Sequence, residues 1–169
     1  QTRPTLDQVK EGLFNALGQF FDGGTVLDLY AGSGNLGLEA ISRGCDQAVF
    51  IDRSSQAIKI IKSNIKKLRL EDRTFILKSD AFSALNLLHK KNYQFDLIFL
   101  DPPFNKQPFS KLMPLILEYN LLKDDGLVIC ETLKETVLEV QYEQLIKKRE
   151  YHYGSTKVTI YHKEGANVG

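Results

Sequence analysis

The sequence predicts an α/β domain with a mostly parallel sheet. Short apolar runs alternate along the chain with segments whose apolar residues recur at helical spacing. The first of these runs is followed at once by a glycine-rich turn that opens a helix. A length of 169 residues suits one domain over residues 1–169, able to bury roughly 70% of the surface its unfolded chain exposes.

Each element follows from local pattern. Thr5-Leu6-Asp7-Gln8 reads as a capping box with Thr5 at the N-cap, and Leu6, Val9, Leu13, Phe14 and Leu17 follow at helical spacing. Gly23 and Gly24 end that helix. Residues 25–29 form a short buried strand, and residues 36–43 a helix that stops at Gly44. A second strand covers 48–51. Residues 55–68 form an amphipathic helix with Ala57, Ile58, Ile61, Ile65 and Leu68 on one face. A third strand covers 75–77, and a helix 81–89. Residues 95–100 are the clearest buried strand, stopped by Pro102 and Pro103 because proline has no N–H for the ladder. A helix around 111–119 and a strand over 127–130 come next. The tail reads as a hairpin: 145–151, a turn at Gly154-Ser155, then 158–161. Residues 132–144 show no decisive period.

Composition narrows the class. With 43% hydrophobic and 25% charged residues and a net charge of +1, the chain is neither collagen-like, disordered nor a disulfide scaffold. The charge balance neither demands nor excludes a nucleic-acid partner. No run approaches the ~18 apolar residues of a membrane span, so no membrane partner is expected. Cys45 and Cys130 form no C-x-x-C pair, which suits a reducing, cytoplasmic setting. His89, His152 and His162 lack ligand spacing, so no metal is expected. The sequence begins at Gln1, and an N-terminal arm before it is expected to lie outside the sequence.

Ligands of open α/β sheets bind beyond the carboxyl ends of strands, so the residues after each strand are the candidates. After the first strand come Asp28, Tyr30 and Ala31, then Gly32, Ser33 and Gly34, with Gly32 to Gly37 spelling G-x-G-x-x-G. Glycines let backbone approach a ligand and turn into a helix whose first N–H groups point outward. The plain alternative is a tight turn with no ligand. Asp52 ends the second strand, where an acid can accept both hydroxyls of a ribose, with Arg53 beside it. This suits NAD and S-adenosylmethionine equally. Asp80, Ala81 and Phe82 follow the third strand. There the acid can accept an adenine amino group with the ring of Phe82 alongside, or simply cap the next helix.

Asp101-Pro102-Pro103-Phe104 follows the fourth strand and is the sharpest signal. The chemistry that needs this set is alkylation of an exocyclic base amine, a poor nucleophile because its lone pair is delocalised into the ring. Asp101 and the Pro102 carbonyl can accept its N–H groups and hold the nitrogen toward a tetrahedral shape. The prolines fix that carbonyl's direction at low entropic cost. Phe104 can stack on the base, worth roughly 1–3 kcal/mol, once the base has left its stack. The plain alternative is a Pro-Pro terminator beside an incidental Asp.

These stretches resemble the class I S-adenosylmethionine-dependent methyltransferases. More narrowly, the chain resembles the bacterial small-subunit (16S) rRNA guanine-N2 methyltransferase family. The narrowing comes from Arg3-Pro4-Thr5 with Leu13-Phe14-Asn15, and from the tail Tyr153-Gly154-x-Thr156. The resemblance implies a Rossmann-like, seven-stranded sheet with an antiparallel last strand and helices on both faces. It implies that Asp28 and residues 31–34 cradle the methionine half of the cofactor, with Tyr30 and Arg53 adjoining. Asp52 is placed on the ribose, and Asp80, Ala81 and Phe82 around the adenine. Asp101, Pro102, Pro103 and Phe104 become the catalytic motif, Asp101 also touching the cofactor. Arg3, Pro4, Thr5 and Phe104 become substrate contacts. Asp52 is one methylene shorter than the family's common Glu, and Phe104 replaces a Tyr found in some members. The expected partner is 16S rRNA, within an assembled or assembling small subunit, and the expected enzyme is a monomer.

Two rivals share parts of the pattern. An adenine-N6 methyltransferase makes the same demands on Asp101. An NAD-dependent oxidoreductase fits G-x-G-x-x-G and Asp52 but leaves Asp101–Phe104 without a role. Among basic clusters, Lys59, Lys62 and Lys66 read as a solvated helix face, while Lys147-Lys148-Arg149 is an even choice between that and phosphate contact.

Overall fold

In the computed structural model, which describes residues 4–18, 20–103 and 108–164 with side chains from Asp7 onward, helix α1 (Pro4–Leu17) leads into strand β1 (Thr25–Asp28). Then follow α2 (Asn35–Ser42), β2 (Gln47–Asp52), α3 (Ser55–Leu68), β3 (Thr74–Lys78), α4 (Ala81–Lys90), β4 (Phe95–Leu100) and α5 (Phe109–Glu118). The C-terminal part is all strand: β5 (Leu122–Leu133), β6 (Gln141–Tyr142), β7 (Leu145–Tyr153) and β8 (Thr156–Lys163).

Helix boundaries have local causes. α1 starts at Pro4, so Thr5 lies within the first turn rather than at the expected N-cap. Proline suits a first helical position because the N–H it lacks would have no partner there. α3 is capped by Ser54, whose hydroxyl accepts the Ala57 N–H at 3.2 Å, and it ends on Arg69 in the left-handed region (φ 57°). Asp80 caps α4 by accepting the Ser83 N–H at 2.8 Å.

The sheet runs β3-β2-β1-β4-β5-β8-β7-β6. β1 to β5 are mutually parallel, as βαβ crossovers require. β8 is antiparallel to both β5 and β7. The expected seven strands with an antiparallel last strand are present, and the two-residue β6 adds an eighth at the edge. β5 extends at both ends past the expected 127–130. Leu122 pairs with Phe95 across a register shift, and Leu133 pairs with Thr156 of β8.

Alternating side chains feed two cores. Val26, Phe50 and Phe99 pack under α1, α2 and α3, whereas Leu27, Val49 and Ile98 pack under α4 and α5. Helices therefore cover both faces, and the central parallel strands β1, β2 and β4 are buried on both sides, whereas the edge strand β3 is half-buried. Fully buried Phe14, Phe50 and Phe99 each contribute roughly 1.5–3 kcal/mol of apolar burial. The parallel arrangement brings the carboxyl ends of β1, β2, β3 and β4 to one edge.

Candidate active site

At the end of β1, the Asp28 carboxylate is 1% exposed and accepts the Gly37 N–H, in the first turn of α2, at 3.0 Å. This bond ties strand end to helix start across the glycine turn. Ala31 anchors the turn by donating its N–H to the Ile51 carbonyl at 2.9 Å, and Gly34 closes it by donating to the Ala31 carbonyl at 2.8 Å. The Asn64 side chain on α3 donates to the Ser33 carbonyl at 3.0 Å. Gly32 sits at φ +58°, a backbone conformation that disfavours a side chain, and nothing stands within 4 Å of where its Cβ would be.

The Gly32 N–H donates to Asp52 Oδ2 at 2.8 Å, and Asp52 Oδ1 accepts the Ser54 N–H at 2.9 Å. A carboxylate offers about four lone-pair sites. Asp52 is thus fixed by backbone yet keeps acceptor capacity for a diol. Ser79 completes this rim by donating its N–H to the Asp52 carbonyl at 2.9 Å. The hydrogen bond from the Ser83 N–H holds the Asp80 carboxyl below its ordinary range. The Asp80 charge in turn adds to burial in raising the Tyr30 phenol.

These strand ends enclose a cavity of about 640 Å³. Tyr30, Gly32, Asp52, Arg53, Asp80, Ala81, Phe82, Asp101, Pro102 and Pro103 all line it, as the sequence led us to look for. Phe82 is 39% exposed, large and apolar, a ring presented to the cavity rather than to the core. Asp28, Ala31, Ser33 and Gly34 are not among the residues that line it: Asp28, Ala31 and Gly34 are buried, and Ser33 is exposed. Their bonds shape the turn, and Asp28 is occupied by Gly37. The substrate candidates Arg3 and Phe104 lie outside the described residues, as do the side chains of Pro4 and Thr5. Leu29, Ser54, Ser79 and Pro108 also line the cavity and were missed. Ser54 and Ser79 follow strand ends by one or two residues, so the same rule extended slightly reaches them.

The electrostatics centre on acids. Burial pushes the Asp28 carboxyl up to about 7, against the Gly37 bond that lowers it, with Asp52 and Glu131 adding repulsion. Burial likewise pushes Asp101 well above the carboxylate range, with Glu131 and then Asp28 adding to it. Glu131, the residue after Cys130 on β5, was not singled out from sequence because the strand was expected to end at Cys130. Among the described residues no group of three or more His, Cys, Asp and Glu side chains has metal-holding geometry. No described helix is long and apolar enough to cross a membrane. Lys59, Lys62 and Lys66 are exposed on α3. In the other basic run, Lys147 pairs with Glu150 at 3.1 Å and Arg149 donates to the Tyr151 hydroxyl at 3.2 Å.

Along most of its length the chain is similar to known proteins. The family described as Conserved hypothetical protein 95 matches residues 1–162. A Bacillus subtilis protein, provisionally named rRNA methyltransferase YlbH, is 45% identical over 97% of this chain and 89% of its own length. Ribosomal RNA small subunit methyltransferase D of Haemophilus influenzae is 36% identical over 80% of this chain and 70% of its own. Among solved structures, a conserved hypothetical protein of Streptococcus pyogenes superimposes with a TM-score of 0.87 at 40% identity, covering 92% of this chain and 96% of that one. A methyltransferase complexed with SAH, SMU.776, shares the fold at a TM-score of 0.75 and 16% identity, over 95% of this chain and 50% of that one.

Proposed function

Because the chain belongs to the Conserved hypothetical protein 95 family, we propose that it is an S-adenosylmethionine-dependent rRNA methyltransferase that modifies the exocyclic N2 amine of a guanine in 16S rRNA. The observation that carries this reading is that Asp101, Pro102 and Pro103 line the same cavity as Gly32 and Asp52. On this reading a nucleoside cradle and an amine-binding acid would share one crevice. The names of relatives from Haemophilus influenzae and Escherichia coli, both ribosomal RNA small subunit methyltransferase D, support the substrate class.

The cavity fits the cofactor by its donor set. Asp52, pre-positioned by two backbone N–H groups, would take the ribose hydroxyls. Phe82, with Asp80 and Ala81, would flank the adenine. S-adenosylmethionine would supply a methyl group already activated on a sulfonium. Asp101 and the Pro102 carbonyl would accept the N–H groups of the target amine and hold it in line. Orientation of this kind can supply roughly 7–11 kcal/mol of barrier lowering. The buried position of Pro102 keeps that carbonyl fixed. An NAD-dependent oxidoreductase would leave Asp101, Pro102 and Pro103 on the cavity wall without a task.

The test is transfer of labelled methyl from S-adenosylmethionine to unmethylated small-subunit particles, naked rRNA and DNA, followed by identification of the modified nucleoside. N2-methylguanosine in particles or rRNA is the expected product. N6-methyladenine in any substrate would transfer the reading to an adenine methyltransferase. No label in any substrate, from protein that binds the cofactor, would overturn both.

A further inference from the structure

Glu131 lies on β5 one residue beyond Cys130, and the sheet places it beside the strand end that carries Asp101. On the β4–β5 ladder Leu100 is the register partner of Cys130, so Asp101 and Glu131 each stand one residue beyond a matched pair. On the other side of β4, Asp28 is the register partner of Phe99. Val26, Phe99 and Ile129 all join the core under α1 and α2. By strand alternation, Asp28, Asp101 and Glu131 project to that same side, in a row across three adjacent strands. The 1% exposure of Asp28 shows how little water reaches its end of the row.

Other charged and titratable groups lie on the elements around the row. Asp52 of β2 is held by the Gly32 and Ser54 N–H groups. Lys10 of α1 pairs with Glu39 of α2 at 3.5 Å, and Arg43 of α2 pairs with the same Glu39 at 2.7 Å. Tyr153 of β7 packs against Gly12 of α1. Lys157 of β8 turns to the opposite face, where it donates to the Thr136 carbonyl.

Asp101 and Glu131 are half-buried, and like charges on adjacent strands beside a fully buried acid favour a shared proton over full ionisation. A cation brought into the cavity reverses that preference. We propose that Glu131 is a positioning residue that acts through Asp101, making the row hold a proton that leaves when a cationic cofactor binds and is regained from the amine during methyl transfer. The inference rests on the S-adenosylmethionine reading above. In the transfer step the amine lone pair forms the N–C bond, and the C–S pair stays on sulfur as a neutral thioether. One amine proton passes to the Asp101 carboxylate. One positive charge leaves sulfur as one proton joins the row, so the net charge of the site is the same before and after. Asp101 is then an acceptor for the amine only while the cofactor carries its sulfonium charge. The spent cofactor leaves Asp101 protonated and unable to grip a second amine in the same way.

Calorimetric titration of the full chain at neutral pH, in two buffers of different ionisation enthalpy, reads the proton directly. The wild type should release up to about one proton per S-adenosylmethionine bound, and several-fold less with S-adenosylhomocysteine, which lacks the sulfonium charge. Glu131→Gln keeps the shape without the charge and should lose most of the release, while Glu131→Asp should retain it. The acid-side loss of kcat should also move to lower pH in Glu131→Gln, because removing a negative neighbour lowers the proton affinity of Asp101. Equal heats in both buffers for the wild type, or undiminished release in Glu131→Gln, would overturn the proposal while leaving the methyltransferase reading intact. Failure of the folded wild-type chain to bind S-adenosylmethionine at all would sink that reading and the proposal with it.

Discussion

The ring of Phe50 occupies the space a side chain at Gly37 would need: a Cβ there would stand 2.5 Å from Phe50 Cε1. Phe50 is fully buried in the core that α2 and α3 share. The glycine at this position therefore lets α2 lie close on β2, and that closeness delivers the Gly37 N–H to Asp28.

Gly37→Ala should destabilise the chain by about 1–3 kcal/mol through overpacking, read as a lowered urea midpoint with unchanged slope. Gly32→Ala makes a contrast. Its Cβ meets nothing within 4 Å, so only the left-handed backbone is strained, at a cost of roughly 1–2 kcal/mol. Because Gly32 lines the cavity, S-adenosylhomocysteine affinity should fall further than stability does. Comparable effects of the two substitutions on binding and stability would show that the turn has no ligand.

Asp52→Ala removes the acceptor for two backbone N–H groups and for the proposed diol. Charge-assisted hydrogen bonds are worth about 1.5–3 kcal/mol each. Cofactor affinity should drop about 10- to 100-fold, with kcat at saturating cofactor changed far less. An unaltered dissociation constant by calorimetry would place the ribose elsewhere.

Asp101→Asn should show the opposite split. A carboxamide keeps one acceptor oxygen but offers its NH2 to the amine and cannot receive a proton. Turnover should fall by roughly 100-fold or more, by analogy with loss of one pre-positioned transition-state hydrogen bond, while the dissociation constant for S-adenosylhomocysteine moves only a few-fold. Equal loss of both would make Asp101 a structural residue.

The acids also set a pH dependence of stability in the unliganded chain. Asp28 is lifted from an ordinary 3.8 to about 7, so between those values the folded state binds more protons than the unfolded one. Its contribution is complete below the unfolded value and is lost as pH rises through about 7. Asp101 acts in the same direction. The lowered carboxyls of Asp80, Glu39 and Glu150 have the opposite sign, and their contributions vanish only in more acidic solution. The urea midpoint should therefore be higher at pH 5 than at pH 8, and Asp28→Asn should flatten the difference by stabilising the chain at pH 8. A midpoint that rises from pH 5 to pH 8 would contradict this.

Much of the framework was legible because local pattern and topology agreed. Residues 55–68 and 95–100 matched their elements to the residue, the first through its apolar stripe and the second through its apolar run, buried throughout except at Asp96. The near end of β5 escapes the sequence because Lys123, Asp124 and Asp125 break the apolar pattern, and they fall in the register shift between the Leu122–Phe95 and Leu127–Leu97 pairs. Its other end, Thr132 and Leu133, is held by β8, a partner that no local window contains. The same blind spot hid Glu131. Asp52, Asp80 and Asp101 were found because the strand-end rule does not need tertiary detail. That Asp28 braces α2 and does not line the cavity depends on how closely α2 packs on Phe50, a matter of three-dimensional fit.

The strand order has a consequence for biosynthesis. β5 lies beside β8, and β8 reaches only to Lys163. As the polypeptide leaves the ribosome, the parallel half of the sheet is complete while the outer edge of β5 is still bare, awaiting a strand not yet translated. Bare edges invite pairing with other chains. α1, the first helix to emerge, likewise waits for Tyr153 to pack against Gly12. The nascent chain thus passes through a window in which the acids of its strand ends are already present but its sheet is open, and only the final hairpin closes it.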